Sequence, residues 1–519
     1  MGSNPTLSAM FFAVFMLLYQ SKYLPYIMFI LLAIFGAIAV FYITANGINL
    51  LSDSVTYLQT ADNISKGIGA ADYPGYSLDP IPLTHFPPLY PAILSVFSGF
   101  GGGMLAAARW VNIAAGAVLV YLMGNIVYSS SKSLAASFLA AVFTLSSSTM
   151  AMIHASALTE PIFIVFTLAG FMALARHIKK RSLVCFVLAI VFAALAALSR
   201  YVGAAVIIAG SLAILLWKTT PFRSRVFDSF LFSGLSFLPM GLWLARNYAV
   251  SGALTDRVFS FHFLSAVNLF EFFTTLTDWV FPYWRDIEAG AVIFTIIVLS
   301  LGFYARRRKG EKKFRVTRLL LLFAFVYLGF VVFSIIFFDA LTPLNFRILS
   351  PVYFVMVIFM FVLAAKYTRY PHVFAALGLY VLIVLASAAY SAVLIRSRGI
   401  GFTSRYIAES GIKEQIEKIS LNQLIYTNVP HAVYVLSGRP AFHLPPKGNP
   451  HARLARGEYG VEISDMVIRV ERQSAVILYI TLPAFYDPRM LMPAADEIYP
   501  LFDSNLKTEE SQSAIKFFY

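Results

Sequence analysis

The sequence predicts an all-α polytopic membrane protein of about 11 transmembrane helices, followed by a small extracytoplasmic α/β domain. Three observations predict it. The first is composition: 59% of the 519 residues are hydrophobic and only 13% are charged, with a mean hydropathy of +0.74. Soluble domains carry roughly 25% charged residues, and a water-soluble chain of this size could not cover its surface with so few. An ordinary cytosolic enzyme is thereby excluded. The second is a series of apolar runs close to the roughly 20 residues needed to cross a bilayer. The third is a change after residue 396, where charges return and no run is long enough to span.

The apolar runs fall at 24–44, 104–127, 134–150, 159–175, 183–199, 203–217, 226–244, 289–305, 318–338, 348–365 and 372–395, with 134–150 and 203–217 the shortest. The first run is long and no small-residue cleavage site follows it, so it reads as a retained span rather than a signal peptide. Orientation follows from the basic residues. With the N-terminus cytoplasmic, the inner segments hold 19 lysines and arginines and the outer segments before 396 hold 6. Among the inner ones are Lys22, Lys218 and the cluster Arg306, Arg307, Arg308, Lys309, Lys312, Lys313, Arg315 and Arg318. That bias predicts N-in, and an odd span count puts the tail outside. The formal charge of +14 is then a record of topology and gives no support to nucleic-acid binding. The expected organisation is a transmembrane domain over 1–395 and a soluble extracytoplasmic domain over 396–519. Residues 45–103 and 246–288 form two long outer loops rich in aromatics, proline and glycine, of the kind that often carries function. In the tail, Ile412–Ile419 has helical spacing, and Leu424–Thr427 and Ala475–Thr481 read as short strands. The single cysteine, Cys185, excludes internal disulfides and a Cys-rich zinc site.

Candidate chemistry gathers at the outer ends of the spans. In the first outer loop, Val55, Leu58, Ala61 and Ile64 repeat at helical spacing, which predicts an amphipathic helix lying in the interface. Asp53 opens that helix. Two compatible roles follow: an N-cap, or an ionised carboxylate held at the membrane surface as base or metal ligand. Downstream, His85-Phe86-Pro87-Pro88-Leu89-Tyr90-Pro91 is a rigid proline-rich turn, and His85 is placed to meet a phosphate or a metal. Glu160 begins the fourth span, where capping by Thr159 is the structural alternative. Arg200-Tyr201, Arg246-Asn247-Tyr248 and Asn345-Phe346-Arg347 mark three more outer boundaries. One arginine at a boundary can simply snorkel, but three with several acids on one face suggest an anionic ligand held against carboxylates. A Walker-type phosphate loop and an H-E-x-x-H motif are both absent from the sequence. The middles of the spans are almost free of charge, which shifts weight from transport towards chemistry at the outer surface.

These residues resemble the GT-C glycosyltransferases, in the branch of the protein O-mannosyltransferases and the lipid A aminoarabinose transferase. Asp53-Ser54-Val55-Thr56-Tyr57 resembles the family's opening motif, and Phe86-Pro87-Pro88-Leu89-Tyr90-Pro91 its proline-rich approach to the second span. Thr159-Glu160, Arg200, Arg246-Asn247-Tyr248 and Arg347-Ile348-Leu349-Ser350-Pro351 are similar to further family positions. Ile425-Tyr426-Thr427-Asn428-Val429-Pro430, with Tyr434 and Ser437-Gly438-Arg439-Pro440, resembles a stretch of bacterial members with a soluble tail. The resemblance implies an inverting hexosyl- or pentosyltransferase of the cell (inner/plasma) membrane, using a polyprenyl-phosphate-linked sugar donor at the extracytoplasmic face. The implied acceptor is a lipid, a glycan or a protein. Asp53 is then the expected base, with Glu160 as second catalytic candidate. Arg200, Arg246 and Arg347 are expected at the donor phosphate, and Tyr57, His85 and Tyr201 at the substrate. A divalent metal ion is the candidate cofactor, with Asp53, Glu160 and His85 as its candidate ligands. In one respect the chain departs from the family: protein mannosyltransferases carry adjacent Asp-Glu in this loop, whereas here Ser54 follows Asp53. The competing reading is a transporter or flippase of a lipid-linked glycan, which would need a polar path through the bilayer.

Overall fold

The structure is a computed structural model. It describes all residues except 1–22, 218–219, 283, 308–315, 450–453, 456, 483–491, 503–506, 512–513 and 519. Lys22, Lys218, Arg308, Lys309, Lys312, Lys313 and Arg315 of the predicted basic face lie outside the described residues.

All eleven apolar runs form helices. In chain order the helices are α1 (Leu24–Ile43), α2 (Ser52–Ser65), α3 (Leu89–Ser98), α4 (Gly103–Ser131), α5 (Leu134–Leu145), α6 (Ser148–His154), α7 (Glu160–Lys180) and α8 (Leu183–Ser199). They continue with α9 (Ala204–Leu216), α10 (Phe222–Ser251), α11 (Ala266–Val280), α12 (Ile287–Arg307), α13 (Val316–Phe337), α14 (Phe346–Ala364) and α15 (Pro371–Arg398). Among the described residues eight helices are long and apolar enough to cross a membrane, or nine if α5 and α6 count as one bent span. α8 and α9 are apolar but shorter. The expected count of about 11 therefore rests on those two short helices. The third predicted run is broken by 50° between α5 and α6. The serines at the break explain it. Ser146 Oγ turns back to the Val142 carbonyl and ends α5, while Ser147 Oγ accepts from Met150 N and starts α6.

α4, α7 and α14 are the most buried of the spans, while α1, α10, α12 and α15 present most of their apolar side chains outwards. Ile30, Leu31, Ile34, Phe35 and Ile38 of α1 are exposed. That is the surface of a helix facing lipid, where nothing is gained by burying leucine or isoleucine against protein. α7 and α14 begin at the same end of the bundle, and their first turns carry Glu160 and Arg347.

The first outer loop contains α2, a two-stranded hairpin of β1 (Ala71–Asp72) and β2 (Ile81–Pro82), and α3. α2 does not lie with one face in the interface. Its polar residues Ser54, Thr56, Gln59, Thr60 and Asn63 are buried along with Val55 and Ala61, so protein surrounds it. The cover comes mainly from α3, β1 and α4, and in part from the tail. The tail adds helices α16 (Arg405–Ala408), α17 (Ile412–Glu417), α18 (Pro430–Ser437), α19 (Tyr459–Glu471) and α20 (Ala495–Ile498). Its strands are β3 (Leu424–Thr427), β4 (Phe442–His443), β5 (Gly448–Asn449), β6 (Leu454–Ala455), β7 (Ala475–Ile480), β8 (Lys507–Glu510) and β9 (Ala514–Phe518). Five of them form one mixed sheet in the order β4-β3-β7-β9-β8, parallel on the β4-β3-β7 side and antiparallel beyond it.

Both predicted strands and the Ile412 helix are present. All six residues of β7 are buried, as a strand covered on both faces requires. Side-chain alternation divides the two faces. Ile425, Val476, Leu478 and Ile480 share an apolar cluster with Val55, Tyr57 and Ala61 of α2. Tyr426, Ile477 and Tyr479 pack instead with Met466 and Val470 of α19. Ile412 and Ile416 of α17 and Ala432 and Val433 of α18 belong to the first of these clusters, and α18 is the tail helix that packs against α2.

Candidate active site

The centre of the site is a chain of four charged side chains from four separate segments. Arg347 donates from Nη2 to Asp53 Oδ2 at 2.6 Å and from Nε to Glu160 Oε1 at 3.0 Å. Arg200 Nη1 lies 2.6 Å from the same Glu160 oxygen and donates to Thr159 Oγ1 at 3.1 Å. Local structure fixes each member. Asn345 caps α14, its Oδ1 accepting from Arg347 N and Ile348 N at 3.0 and 3.4 Å, which places Arg347 in the first turn. Arg200 is held extended between the end of α8 and the turn Tyr201–Gly203. Pro161 follows Glu160 in the first turn of α7, where a missing N–H costs nothing.

Two capping expectations change. Leu51, not Asp53, occupies the N-cap of α2, and Ser54 Oγ accepts from Leu51 N at 3.1 Å. The Asp53 carboxylate is left to face Arg347. Thr159 does not cap α7 with its side chain, because its hydroxyl accepts from Arg200 instead.

The members differ in access. The Glu160 side chain is 1% exposed, Arg200 15%, Arg347 16% and Asp53 30%. Glu160 is therefore the buried pivot that orients both guanidiniums, and Asp53 is the member that can meet a ligand. Burial alone would raise the Asp53 pKa. The Arg347 guanidinium, through its charge and its hydrogen bond, with Arg200 and His85 behind it, outweighs that and holds the carboxyl below the ordinary range. Among the described residues Arg347 Nη1 and Arg200 Nη2 have no hydrogen-bond partner, so each guanidinium keeps a donor for an anion. Two carboxylates and two guanidiniums sum to zero charge, which lets an anion approach without a field opposing it.

The other candidates take different places. Arg246 lies outside this network. It donates from Nη1 to the Leu83 carbonyl at 2.7 Å and from Nη2 to the Ala70 carbonyl at 3.0 Å, with its guanidinium over Trp243. Tyr201 donates to the Thr84 carbonyl at 2.6 Å and receives Trp243 Nε1 and Asn247 Nδ2 at 3.3 Å each. Arg246 and Tyr201 thus brace the outer loop over the site. Tyr57 is buried in an aromatic group with Phe86 and Tyr90, at ring separations of 4.8 and 5.4 Å. The His85 ring lies tilted against that of Phe86, and its Nε2 is 3.8 Å from the buried Asp72 carboxylate. Asp53, Glu160 and His85 do not assemble as metal ligands. Among the described residues no three His, Cys, Asp or Glu side chains converge to hold an ion, and Arg347 occupies the space between the two carboxylates. Sequence reasoning missed Thr159 as a partner of Arg200, and it missed Asp72. Asn345 ahead of an apolar run was a readable cap signal.

Residues 7–255 match the family model described as dolichyl-phosphate-mannose-protein mannosyltransferase. A search of curated proteins finds no match. Among solved structures, ArnT from Cupriavidus metallidurans in the apo state aligns over 94% of this chain and 97% of that one, at 13% identity and a TM-score of 0.57. The same protein bound to undecaprenyl phosphate aligns over 96% and 98%, at 12% identity and a TM-score of 0.57. The apo oligosaccharyltransferase of Archaeoglobus fulgidus aligns over 89% of this chain and 70% of that one, at 12% identity and a TM-score of 0.55. At such identities the likeness establishes the fold.

The architecture is a multi-pass helical bundle with a cluster of charged side chains at one end, beneath the tail domain. The chain shares the fold of these GT-C structures, and its residues 7–255 match a mannosyltransferase family model, which together fit a GT-C membrane glycosyltransferase.

Proposed function

We propose that the protein transfers a sugar, with inversion, from a polyprenyl-phosphate donor to an acceptor hydroxyl at the extracytoplasmic face of the cell membrane. The observation that carries this reading is the Asp53–Arg347–Glu160–Arg200 network, where a single accessible carboxylate adjoins two guanidiniums with donors to spare. A donor of this type has its lipid tail in the bilayer and its phosphate at the surface, at the level of the helix ends that carry the network. The undecaprenyl phosphate bound by ArnT from Cupriavidus metallidurans supports a donor of this class.

In the proposed reaction Asp53 takes the acceptor proton as the acceptor oxygen attacks the anomeric carbon opposite the phosphate. The bond from that carbon to the phosphate oxygen breaks, and the departing polyprenyl phosphate gains one negative charge. Arg347 and Arg200 stabilise that charge as it develops, where a planar, multidentate donor is most effective. Glu160 holds both guanidiniums in place. Arg246 and Tyr201 hold the outer loop over the site.

The test is transfer in proteoliposomes containing undecaprenyl-phosphate-linked mannose or aminoarabinose. Lipid A, an undecaprenyl-diphosphate-linked glycan and a Ser/Thr-containing peptide serve as acceptors. Transfer by the wild type and loss of about 100-fold or more in Asp53→Asn are expected. Movement of the donor between leaflets without transfer would establish the flippase instead.

A further inference from the structure

The end of the bundle opposite Asp53 holds two adjoining cavities that the proposed reaction does not use. The first, of about 520 Å³, lies where α4 passes into α5 and α14 passes into α15. Lys366 and Arg369 line it, together with Ser133, Thr368 and the first turn of α5. The second, of about 290 Å³, shares Ala365 and Lys366 with the first and lies between the last two turns of α4, α12 and α14. Its polar lining includes Ser130, Ser131 and Ser300, and its apolar lining Phe303, Val362 and Leu363.

The basic bias of the sequence accounts for cations at this end, but not for their setting. No Asp or Glu lines either cavity. Among the described residues neither Lys366 nor Arg369 makes an ion pair, and Arg369 donates only from Nη2 to the Tyr370 hydroxyl, at 2.8 Å. The Ser133 and Thr368 hydroxyls meet at 3.2 Å, which ties the α4–α5 turn to the α14–α15 turn. Ser133 Oγ also accepts from Ala136 N and caps α5. The N-terminal end of that helix borders the first cavity and adds partial positive charge. Ser130 Oγ is buried and has no partner among the described residues.

Two cations, several hydroxyls and a helix N-terminus without a counter-charge suit a phosphate. The position selects its source. The cavities lie at the level where the spans end, and the second continues onto the exposed Phe303 of α12, a helix whose apolar side chains face outwards. A ligand that fills both cavities combines an anionic head with an apolar chain.

We propose that the two cavities form a binding site for an anionic phospholipid of the leaflet at that end. Its phosphate lies between Lys366 and Arg369, and one acyl chain runs along Phe303, Val362 and Leu363. Basic pockets between spans on the cytoplasmic side take headgroups of this kind. The site is independent of the transfer reaction, and its test needs no sugar donor.

The test is equilibrium binding of radiolabelled phosphatidylglycerol to the purified full-length protein in a neutral detergent, with unlabelled phosphatidylcholine or inorganic phosphate as competitor. Three variants are compared with wild type. Lys366→Gln with Arg369→Gln removes both cations, and Ala365→Trp blocks the passage between the cavities without changing charge. Arg176→Gln with Arg223→Gln removes two exposed cations of the same end that line neither cavity. One phosphatidylglycerol is expected to bind about tenfold or more tightly than phosphatidylcholine. Both cavity variants should lose about tenfold in affinity, and the Arg176/Arg223 pair should stay within about threefold of wild type. Unfolding midpoints without lipid should stay near wild type in the charge variants, which separates lost binding from lost fold. Equal competition by phosphatidylcholine, unchanged binding in the Lys366/Arg369 pair or an equal loss in the Arg176/Arg223 pair overturns the proposal. Displacement by inorganic phosphate as effective as by unlabelled phosphatidylglycerol assigns the cavities to free phosphate and overturns the lipid site.

Discussion

Arg347 Nη2 lies 2.6 Å from Asp53 Oδ2, although 294 residues separate the two in sequence. The same guanidinium reaches Glu160 through Nε, so one planar group spans two carboxylates from two other segments. A lysine has one ammonium and cannot hold both with fixed geometry. Arg347→Lys is therefore expected to keep the charge and lose the function. Transfer should fall by about 100-fold or more, as when a single stabilising donor is lost. Measurement of kcat/KM in the proteoliposome assay checks it, and activity within threefold of wild type would count against the bridging role.

Glu160 is nearly inaccessible and faces two guanidiniums. Its neutralisation in Glu160→Gln leaves two buried cations short of a partner. Breaking a buried pair from one side costs about 3–5 kcal/mol. The thermal midpoint of Glu160→Gln should fall well below that of Asp53→Asn, whose carboxylate is the more exposed. Thermal unfolding in detergent, followed for both variants, gives the ranking directly.

The helices were legible because lipid imposes an apolar run on each span, and every run became a helix. The tail strands were legible because Leu424–Thr427 and Ala475–Ile480 alternate or run apolar between turn residues. The candidate site was legible as a set of residue types at one boundary, since charges at membrane depth are costly and few. Its wiring was not. Which arginine meets which acid depends on helix packing across hundreds of residues, and so Arg246, which marks an outer boundary in the sequence as Arg200 does, braces a loop while Arg200 joins the network. The burial of α2 was hidden for the same reason. Its helical spacing read as one apolar face, because the segments that enclose it (α3, β1, α4 and the tail helix α18) come together only in the folded chain.

Two tail histidines make the docked tail acid-sensitive. Burial lowers the pKa of His431 to about 4 and, with His431 beside it, that of His443 to about 3. Both lie below the unfolded value near 6.5. The unfolded chain then binds more protons than the native one between the two values, so stability rises with pH across that window. The contribution is fully present above about pH 6.5 and is lost as the pH falls towards 4. Each histidine contributes a slope of up to about 1.4 kcal/mol per pH unit. Asp53, held below its unfolded value, adds to the same decline only at the acid end of this range. Unfolding midpoints from pH 7 to 4 should decline in wild type and decline less in His443→Asn.

Gly401 has φ +64°, and a Cβ there would sit 2.2 Å from the Leu50 carbonyl oxygen. The clash is with backbone, so no rotamer relieves it. Gly401→Val is expected to loosen the bridge between Leu50 and Gly401 and with it the roof over Asp53. Limited proteolysis should cut near residue 400 faster than in wild type, while the transmembrane part stays intact. Unchanged proteolysis would mean that the bridge is dispensable for docking.

The orientation is testable with one cysteine. The tail roofs the same end of the bundle that carries Asp53, Glu160, Arg200 and Arg347, while Lys132, Lys366 and Arg369 lie at the opposite end. The basic bias predicts a cytoplasmic location for that opposite end. Leu421 lies in the turn before β3 and is 84% exposed, so its replacement disturbs no packing. Cys185 is the sole native cysteine, and Cys185→Ala removes it as a competing target. In that background Leu421→Cys should react with a membrane-impermeant maleimide added outside intact cells or spheroplasts. Lys366→Cys in the same background should react only after the membrane is opened. The reverse pattern would invert the topology and place the acceptor in the cytoplasm, which no extracytoplasmic transfer reaction survives.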